Sequence, residues 1–254
     1  MNRSINTPLQ MFVDRLLTRS ILTEEEQQVV LRLPTHAMQV QSRQDFVLMN
    51  EEATYSCLIV SGLVGRFGQT VDGSRQITAL HIPGDMADLH SAVRPIGVGG
   101  LMALCPTTVL RVPHDAIRAL AARYPAIAEA LWRDCMLDAA ILMEWVVDVG
   151  RRNSQTRLAH VLCEMSIRAG GGREATLDYA FPITQEHLGD AAGLTPVHVN
   201  RSLKILREQE LATLKGGRVR IHDWEALASA GEFDASYLVA DTAPARQKRL
   251  LATI

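Results

Sequence analysis

Between residues 38 and 112, short runs of mainly apolar residues are separated by residues that favour turns. Glycine, proline and aspartate provide the breaks, as at Asp72-Gly73, which predicts a hairpin between its two flanking runs. Short strands at close and regular spacing are typical of a β-sandwich or jelly roll. The runs are QDFVLM, YSCLIV, LVGRF, RQITALHI, GLMAL and TVLRV.

Helical patterns lie on both sides of this β-rich region. Residues 8–33 predict two short helices, and Thr23 with Glu26 has the spacing of a capping box at the start of the second helix. Asp115 is expected to cap a short helix that runs through Ala122.

A long helix is predicted from Pro125 to Gly150, since proline suits the first turn of a helix and glycine its exit. It spans roughly 39 Å and is apolar on more than one side. We expect it to pack on its own β domain and on the same helix of a second copy. The alternative is a core helix of a monomer. Gly150 is expected to be a hinge. The residues assigned to the dimer interface are Ile127, Leu131, Cys135, Leu142, Trp145 and Val149.

The segment from residue 183 to 211, ITQEHLGDAAGLTPVHVNRSLKILREQEL, has the pattern of a helix-turn-helix. Thr184 is placed to cap a short helix, and Gly193 suits the turn after it. Thr195 is placed to cap a second helix whose first residue is Pro196, where a missing N–H costs nothing. An ordinary helical hairpin is the alternative interpretation.

The second helix is expected to present one face to DNA. If Val199 points inward, a rotation of about 100° per residue turns Leu203 and Leu206 inward as well. On the opposite face, Arg201 is expected to bind guanine and Asn200 to read adenine in the major groove. Ordinary surface residues are the alternative for each position. The residues assigned to DNA on this helix are Thr195, Val197, His198, Asn200, Arg201 and Lys204.

A basic hairpin is predicted directly after these helices. Gly216-Gly217 suits a two-residue turn, and Arg218 and Arg220 alternate with apolar residues, which predicts a wing for the DNA backbone. The distribution of charge supports a DNA-binding part here, because residues 151–222 carry 11 Lys and Arg against 7 Asp and Glu. A basic module flanked by acidic segments indicates a polyanionic partner.

Composition excludes several classes of protein. The 254 residues are 47 % hydrophobic, which is enough for about two domains with a sizeable core. We find no apolar run long enough for a membrane span and no secretory signal pattern. The four cysteines are scattered without a C-x-x-C pair, which argues against a disulfide scaffold or a structural zinc site. A cytoplasmic location is expected, with no metal and no identified cofactor.

The order of β-roll, long helix and winged helix-turn-helix resembles the cyclic-AMP receptor/fumarate-nitrate regulator (Crp/Fnr) family of bacterial transcription factors. The resemblance covers about residues 15–225, and its motifs are CLIVSGLVGRF, HIPGDMADLH and the segment from 183 to 211. It implies a homodimer joined along the long helix, an effector pocket in the β-roll, a two-fold-related DNA operator, and RNA polymerase as a further partner.

The sensor part departs from the ligand-binding branches of that family. Cyclic-nucleotide-binding members carry a Gly-Glu pair and an Arg-Ser or Arg-Thr pair, whereas this chain has Ala87-Asp88 and a stretch near Gly97-Val98. Cyclic AMP is therefore not expected. The cysteines of the iron-sulfur members are absent, and no haem ligand is assigned. A metal or anion site including His81 is a weaker hypothesis. The candidates for an effector pocket are Asp85, Asp88, His90 and Arg94.

The sequence thus predicts an α+β protein with four parts: a β-roll resembling a cyclic-nucleotide-binding jelly roll, a linker with the dimerisation helix, a winged helix-turn-helix and a C-terminal extension. We expect a sequence-specific, dimeric DNA-binding regulator with an unknown small-molecule effector. The alternative is a ligand-binding module that controls a protein partner. An enzyme is not expected, because no nucleophile-elbow, zinc-protease, P-loop or dinucleotide motif is present. The predicted boundaries are 1–112, 113–150, 151–224 and 225–254.

Overall fold

The computed structural model describes residues 8–97, 99–170 and 176–238. These residues form a mixed α and β protein, as predicted, which packs as two compact units. Of the described residues, the first unit combines 8–64 with 81–139, and the second combines 65–80 with 140–237. The hairpin 65–80 therefore groups with the C-terminal half, whereas the predicted boundaries kept it with the N-terminal domain.

The elements of the N-terminal half follow the predicted order of two helices, short strands and a long helix. Thr23 forms the expected capping box with Glu26. In chain order the elements are α1 (Pro8–Leu17), α2 (Glu24–Leu31), β1 (His36–Val40), β2 (Asp45–Val47), β3 (Tyr55–Ser61), β4 (Val64–Gln69), β5 (Arg75–His81), a 3-10 turn (Leu89–Ala92), β6 (Gly100–Ala103), β7 (Thr107–Pro113), α3 (His114–Arg123) and α4 (Pro125–Arg151).

The strands form two sheets, as a jelly roll requires. One sheet has the order β1-β7-β3, and β7 pairs antiparallel with both neighbours. The other has the order β2-β6-β4-β5. Cys57 pairs with Arg111 between β3 and β7, and the register shifts between Ile59 and Ser61, which marks a bulge near the end of β3.

The core of the first unit lies where helices cover the β-roll. Phe12 and Val13 of α1 are fully buried, and they belong to one apolar cluster with Ile127 and Leu131 of α4. The start of α3 differs from the prediction, because Asp115 does not cap it. Its carboxylate instead pairs with the Arg118 guanidinium one turn along the helix.

The second unit contains the remaining elements, most of them as predicted. Phe181 is outside any strand, and its N–H donates to the carbonyl of Gly217 (2.7 Å). No helix among the described residues is both long and apolar enough to cross a membrane. The elements are α5 (Ser154–Arg168), β8 (Leu177–Ala180), α6 (Gln185–Ala192), α7 (Pro196–Glu208), β9 (Ala212–Lys215), β10 (Arg218–Ile221), α8 (Trp224–Ala230) and a 3-10 turn (Ala235–Leu238).

The hairpin formed by β4 and β5 is bonded to helix ends of this unit through the Gln76 side chain and the Leu80 carbonyl. The Gln76 amide donates to the carbonyls of Asp190 (2.6 Å) and Ala191 (3.0 Å) near the end of α6. Arg168, at the end of α5, donates to the carbonyl of Leu80 (2.6 Å). These carbonyls at the end of α6 lack partners within the helix, so Gln76 satisfies groups that would otherwise need water.

Candidate nucleic-acid interface

The helix-turn-helix forms where the sequence predicted it, and its two helices start at the expected caps. The Thr184 side chain accepts from the N–H of His187 (3.1 Å), and the Thr195 side chain accepts from the N–H of His198 (3.5 Å). Gly193 ends α6 with a left-handed φ of 63°. Each cap satisfies a backbone donor that the first helical turn leaves unpaired.

A close approach of backbone to backbone holds the two helices together. A Cβ added at Gly189 of α6 would lie 2.6 Å from the carbonyl oxygen of Leu194 in the turn. Leu188, Val199 and Leu206 are fully buried around this contact and form the small core. The glycine therefore fixes how near α7 can lie to α6.

Gly189→Ala is expected to destabilise the protein by about 1–3 kcal/mol, because the methyl group would push the turn away from α6. A loss of stability would point to the close approach, because replacing glycine by alanine in a helix interior ordinarily stabilises a protein by roughly 1 kcal/mol. Urea unfolding measures the effect. The matched control is Gly150→Ala in α4, where the added Cβ meets nothing within 4 Å, and there we expect no loss of stability. Equal effects of both changes would contradict the close-approach argument.

The first two turns of α7 present an exposed face. Val197 is 75 % exposed, which is unusual for an apolar side chain, and Asn200 and Arg201 are also exposed. Within the described part of the chain, the Asn200 and Arg201 side chains make no hydrogen bond or ion pair. Both groups are therefore free to bind a partner.

Leu203 differs from the prediction, because it is only half-buried and faces a groove. Ser202 takes the inward position instead, and its hydroxyl donates to the Ser154 hydroxyl of α5 (3.1 Å). The rotation per residue in a helix explains the difference, since Val199 and Leu206 are seven residues apart and Ser202 lies between them on the same side. This bond ties the recognition helix to α5.

Two other predicted DNA contacts have local partners. His198 Nδ1 lies 3.0 Å from the Thr195 hydroxyl, which fixes the orientation of the ring and leaves Nε2 toward solvent. Lys204 Nζ lies 3.6 Å from the Glu208 carboxylate in an exposed pair. Because exposed pairs are weak, Lys204 can exchange this carboxylate for a phosphate.

A polar groove runs beside α7 and contains residues that the sequence interpretation omitted. Arg207 lies two turns beyond Arg201 and is exposed, while Gln185 begins α6 on the other side. Thr213 and Leu214 of β9 complete the lining. The spacing of three to four residues between Arg201, Lys204 and Arg207 was the signal for a continuous basic edge.

The wing is a three-stranded sheet with the order β8-β10-β9. Arg218 and Arg220 are exposed on β10, as predicted, but both contact Asp178 of β8. The hydrogen bonds from Arg218 hold the pKa of Asp178 below its ordinary value, so this carboxylate stays charged. This face of the wing therefore carries Asp178 together with Arg218, Arg220 and Lys215, which pairs with Arg218 across β9 and β10.

The four residues expected to line an effector pocket do not converge. The Asp85 carboxylate binds Arg15 (2.6 Å) and accepts from the N–H of Ile82 in the turn (3.1 Å). Asp88 is buried and accepts from the N–H of Cys57 (2.6 Å). The tight turn and the following 3-10 turn direct these acids inward and two basic side chains outward, which corrects the prediction. The two exposed basic residues are His90 and Arg94.

Five of the six residues predicted for the dimer interface on α4 are buried or half-buried in their own chain. Ile127 is fully buried, and Trp145 is buried with its indole N–H bonded to Glu164 (2.8 Å). Leu131 is buried, Cys135 and Val149 are half-buried, and Leu142 is exposed at an edge. The sequence showed two apolar faces on α4, and most of the residues assigned to a dimer interface lie on the face that is buried in the single chain.

The other face of α4 carries a row of exposed apolar side chains, which we call the α4 stripe. Trp132 is 71 % exposed and Met143 is 63 % exposed. Successive steps of four and three residues lead from Trp132 through Met136, Ala139 and Met143 to Val146. That alternation is the spacing found in coiled coils. The stripe consists of Trp132, Met136, Leu142, Met143, Val146 and Val147.

The expected hinge, Gly150, lies near the end of the long helix. Gly150 lies inside α4, which ends one residue later at Arg151. The chain turns at Arg152 and Asn153, where the Asn153 side chain caps α5 through the N–H groups of Gln155 and Thr156. We call residues 152–153 the elbow.

Comparisons with known proteins agree with this architecture. Residues 156–230 match the family model of the Crp-like helix-turn-helix domain. The nitrogen fixation regulation protein FixK of Azorhizobium caulinodans is 28 % identical over 67 % of this chain and 68 % of its own. The fumarate and nitrate reduction regulatory protein of Vibrio cholerae is 22 % identical over 84 % and 83 %.

Among solved structures, FixK2 from Bradyrhizobium japonicum is similar with a TM-score of 0.71 and 25 % identity, covering 80 % of this chain and 100 % of that chain. The winged helix-turn-helix, with its free polar groups at the start of α7, defines a DNA-binding transcription regulator. These comparisons, like the sequence motifs, support the Crp/Fnr family.

Proposed function

We propose that this protein binds DNA as a homodimer, with one α7 in the major groove of each of two half-sites related by two-fold symmetry. The observation that carries the proposal is the exposed start of α7, where Arg201 and Asn200 have no intramolecular partner among the described residues. Arg201 reads guanine through two hydrogen bonds, and Asn200 reads adenine. Val197 contacts a thymine methyl group, because an exposed valine gains from burying its side chain there.

The α4 stripe supports the dimer. Its side chains are exposed in the single chain, and they follow the spacing by which two helices interlock. Between Trp132 and Val147 the stripe runs for about four turns, or roughly 22 Å. Two copies related by a two-fold axis bury the same face against itself, which removes this apolar surface from water.

Contacts to the DNA backbone come from the caps and the wing. Thr195 lies at the N-terminus of α7, where backbone N–H groups suit a phosphate, while Lys204, Arg218 and Arg220 supply positive charge. His198 is directed toward the same surface by its contact with Thr195. RNA polymerase is the further partner that the family resemblance implies. The proposal names no effector, because the candidate pocket residues do not meet.

Selection of bound duplexes from a random DNA pool tests the proposed function. We expect enriched sequences with two inverted half-sites whose centres lie about 34–36 Å apart, and a guanine at a fixed place in each. Binding should weaken steeply with salt. Enrichment of no sequence, or binding that ignores salt, would contradict DNA recognition. Enrichment of single half-sites would contradict the dimer.

Asp178→Asn is expected to tighten operator binding by about 3- to 10-fold per dimer, since it removes an anion that occupies both wing arginines. The arginines then bind phosphate without exchanging a partner, and the salt dependence becomes steeper. Fluorescence anisotropy over a salt series measures both quantities. The matched control is Asp115→Asn, which also frees an arginine from an exposed aspartate but lies outside the proposed interface. Unchanged affinity for Asp178→Asn would mean that the wing does not contact DNA.

A further inference from the structure

The chain continues past the wing and folds back on the second unit. We call residues 231–237 the C-terminal strap; they lie beyond residues 156–230 that match the Crp-like domain. Gly231 packs directly on α5, because an added Cβ would lie 2.7 Å from the backbone nitrogen of His160. Its carbonyl faces His160 Nδ1 at 3.1 Å. The strap is thus held against α5 by backbone contact.

Aromatic rings fix the far part of the strap. Phe233 meets the His160 ring edge-on with centroids 5.2 Å apart and also contacts Trp224 of α8. Tyr237 stacks on His160 with centroids 6.0 Å apart. Such pairs add to the stability gained from burial alone. The Tyr237 side chain is therefore placed beside α5 by two neighbouring rings.

The Tyr237 hydroxyl ends in a buried polar cluster between α4 and α5. It donates to Glu164 Oε2 (2.9 Å), which also accepts from the indole N–H of Trp145 of α4 (2.8 Å). His160 Nε2 lies 3.1 Å from the same hydroxyl and 4.0 Å from the Asp148 carboxylate of α4. Burial, with the nearby Glu164 carboxylate, raises the pKa of Tyr237, so the hydroxyl keeps its proton.

The strap also contacts the elbow. The Arg152 guanidinium binds Glu144 (2.7 Å) and Asp148 (2.8 Å) of α4, and its Nε lies 3.3 Å from Glu232 of the strap. Arg152 is largely buried, and burial alone would lower the pKa of its guanidinium. The pKa is nevertheless raised, because the hydrogen bonds that the guanidinium donates to these two carboxylates, and their charges, outweigh the cost of burial. The strap therefore bonds directly to α5 and to the elbow. It is linked to α4 through Glu164, which accepts from Trp145, and through Arg152, which binds Glu144 and Asp148.

The direction of the recognition helix depends on the same helices. The Ser202 hydroxyl of α7 donates to Ser154 at the start of α5, and Gln155 donates to Gln209 just after α7 (2.8 Å). A change in the angle between α4 and α5 would therefore turn α7 relative to the α4 stripe. In a dimer joined along α4, that angle sets the distance between the two recognition helices.

We propose that Tyr237 is a positioning residue for DNA binding: through the C-terminal strap it fixes the elbow between α4 and α5 and so sets the half-site spacing that the dimer accepts. The inference rests on the proposed function. The hydroxyl is needed because it is the group that joins His160 and Glu164. Without it, the elbow samples a wider range of angles, and the two copies of α7 fit several spacings almost equally well.

The test compares wild type with Tyr237→Phe on operators whose half-site spacing is changed by one or two base pairs. We expect wild type to have one optimum, and Tyr237→Phe to lose about 3- to 10-fold at that optimum while losing less at the altered spacings. Affinity for a single half-site should not change. A general loss of folded protein would instead lower binding to every duplex by the same factor.

Tyr179→Phe is the matched control, because its hydroxyl also donates to α5, at the carbonyl of Leu162 (2.7 Å), but within the described residues it bonds to neither His160 nor Glu164, the two residues that the Tyr237 hydroxyl joins. We expect this variant to keep the wild-type spacing profile. If Tyr237→Phe does not fold, Glu232→Lys tests the proposal instead. The new lysine is exposed and repels Arg152, so we expect the difference in affinity between the best and the altered half-site spacings to fall at least twofold. The proposal would be overturned if Tyr237→Phe depended on half-site spacing as wild type does. The same result for Glu232→Lys would overturn it where Tyr237→Phe does not fold. Wild type without paired-site binding would overturn the proposed function instead.

Discussion

Arg201→Ala is expected to lower the affinity for the selected operator by about 30- to 20,000-fold at constant salt. Each guanine contact through two hydrogen bonds contributes about 1–3 kcal/mol of discrimination, and a dimer makes two of them. The structure supports a large effect, because Arg201 is exposed, has no partner among the described residues and lies two turns into α7. No intramolecular interaction is lost with the side chain, so protein stability should stay within about 0.5 kcal/mol of wild type.

Arg207→Ala is the matched comparison, since it removes the same side chain from the same groove about two turns further along α7. A phosphate contact is expected there, so the loss should be similar on all sequences, with a slope of log affinity against log salt reduced by about one per half-site. Anisotropy with operator and with unrelated duplex separates the two cases. If Arg201→Ala weakened both duplexes equally, Arg201 would bind phosphate and not a base.

Met143→Glu is expected to dissociate the dimer and to weaken operator binding by about 100-fold or more. In the proposed dimer a two-fold axis brings the two copies of the α4 stripe together, so each new carboxylate would be buried without a cation to pair with it. Separate monomers bind each half-site independently and lose the gain from simultaneous binding. Sedimentation analysis measures the dimer, and anisotropy on paired and single half-sites measures the consequence for DNA.

Val93→Glu serves as the control, because this valine is also highly exposed but lies outside α4. It should remain dimeric and bind the operator as wild type does. Met143→Glu should retain wild-type affinity for a single half-site, since the stripe is distant in sequence from α7 and the substitution removes no buried contact of the single chain. A dimeric Met143→Glu would mean that copies associate through another face.

The helix-turn-helix could be predicted closely because its signals are local. Thr184, Thr195 and Pro196 specify helix starts through their own hydroxyl groups and ring, and Gly193 specifies the turn through its freedom at positive φ. Each signal acts within a few residues, so no distant contact is needed to interpret it. The exposed positions of Arg201 and Asn200 then follow from helical rotation.

The residues of α4 and of the expected effector pocket were harder to assign, because their roles depend on distant partners. Two apolar faces on one helix do not reveal which face meets the β-roll. Phe12 and other buried residues of α1 pack with Ile127 in one apolar cluster, so that face of α4 is buried and Trp132 and Met143 stay exposed. Asp85 likewise cannot be assigned from the sequence, because it forms an ion pair with Arg15, which lies seventy residues earlier in the chain.

The sequence by itself determined the elements, their order, the caps of the recognition helix and the basic wing, since these depend on interactions between near neighbours in the chain. The tertiary structure alone decided which face of α4 stays exposed, that Asp178 occupies the wing arginines, and that the C-terminal strap bonds to the elbow. Those outcomes depend on contacts between residues far apart in sequence, and side-chain identity does not encode which distant partner will be nearest.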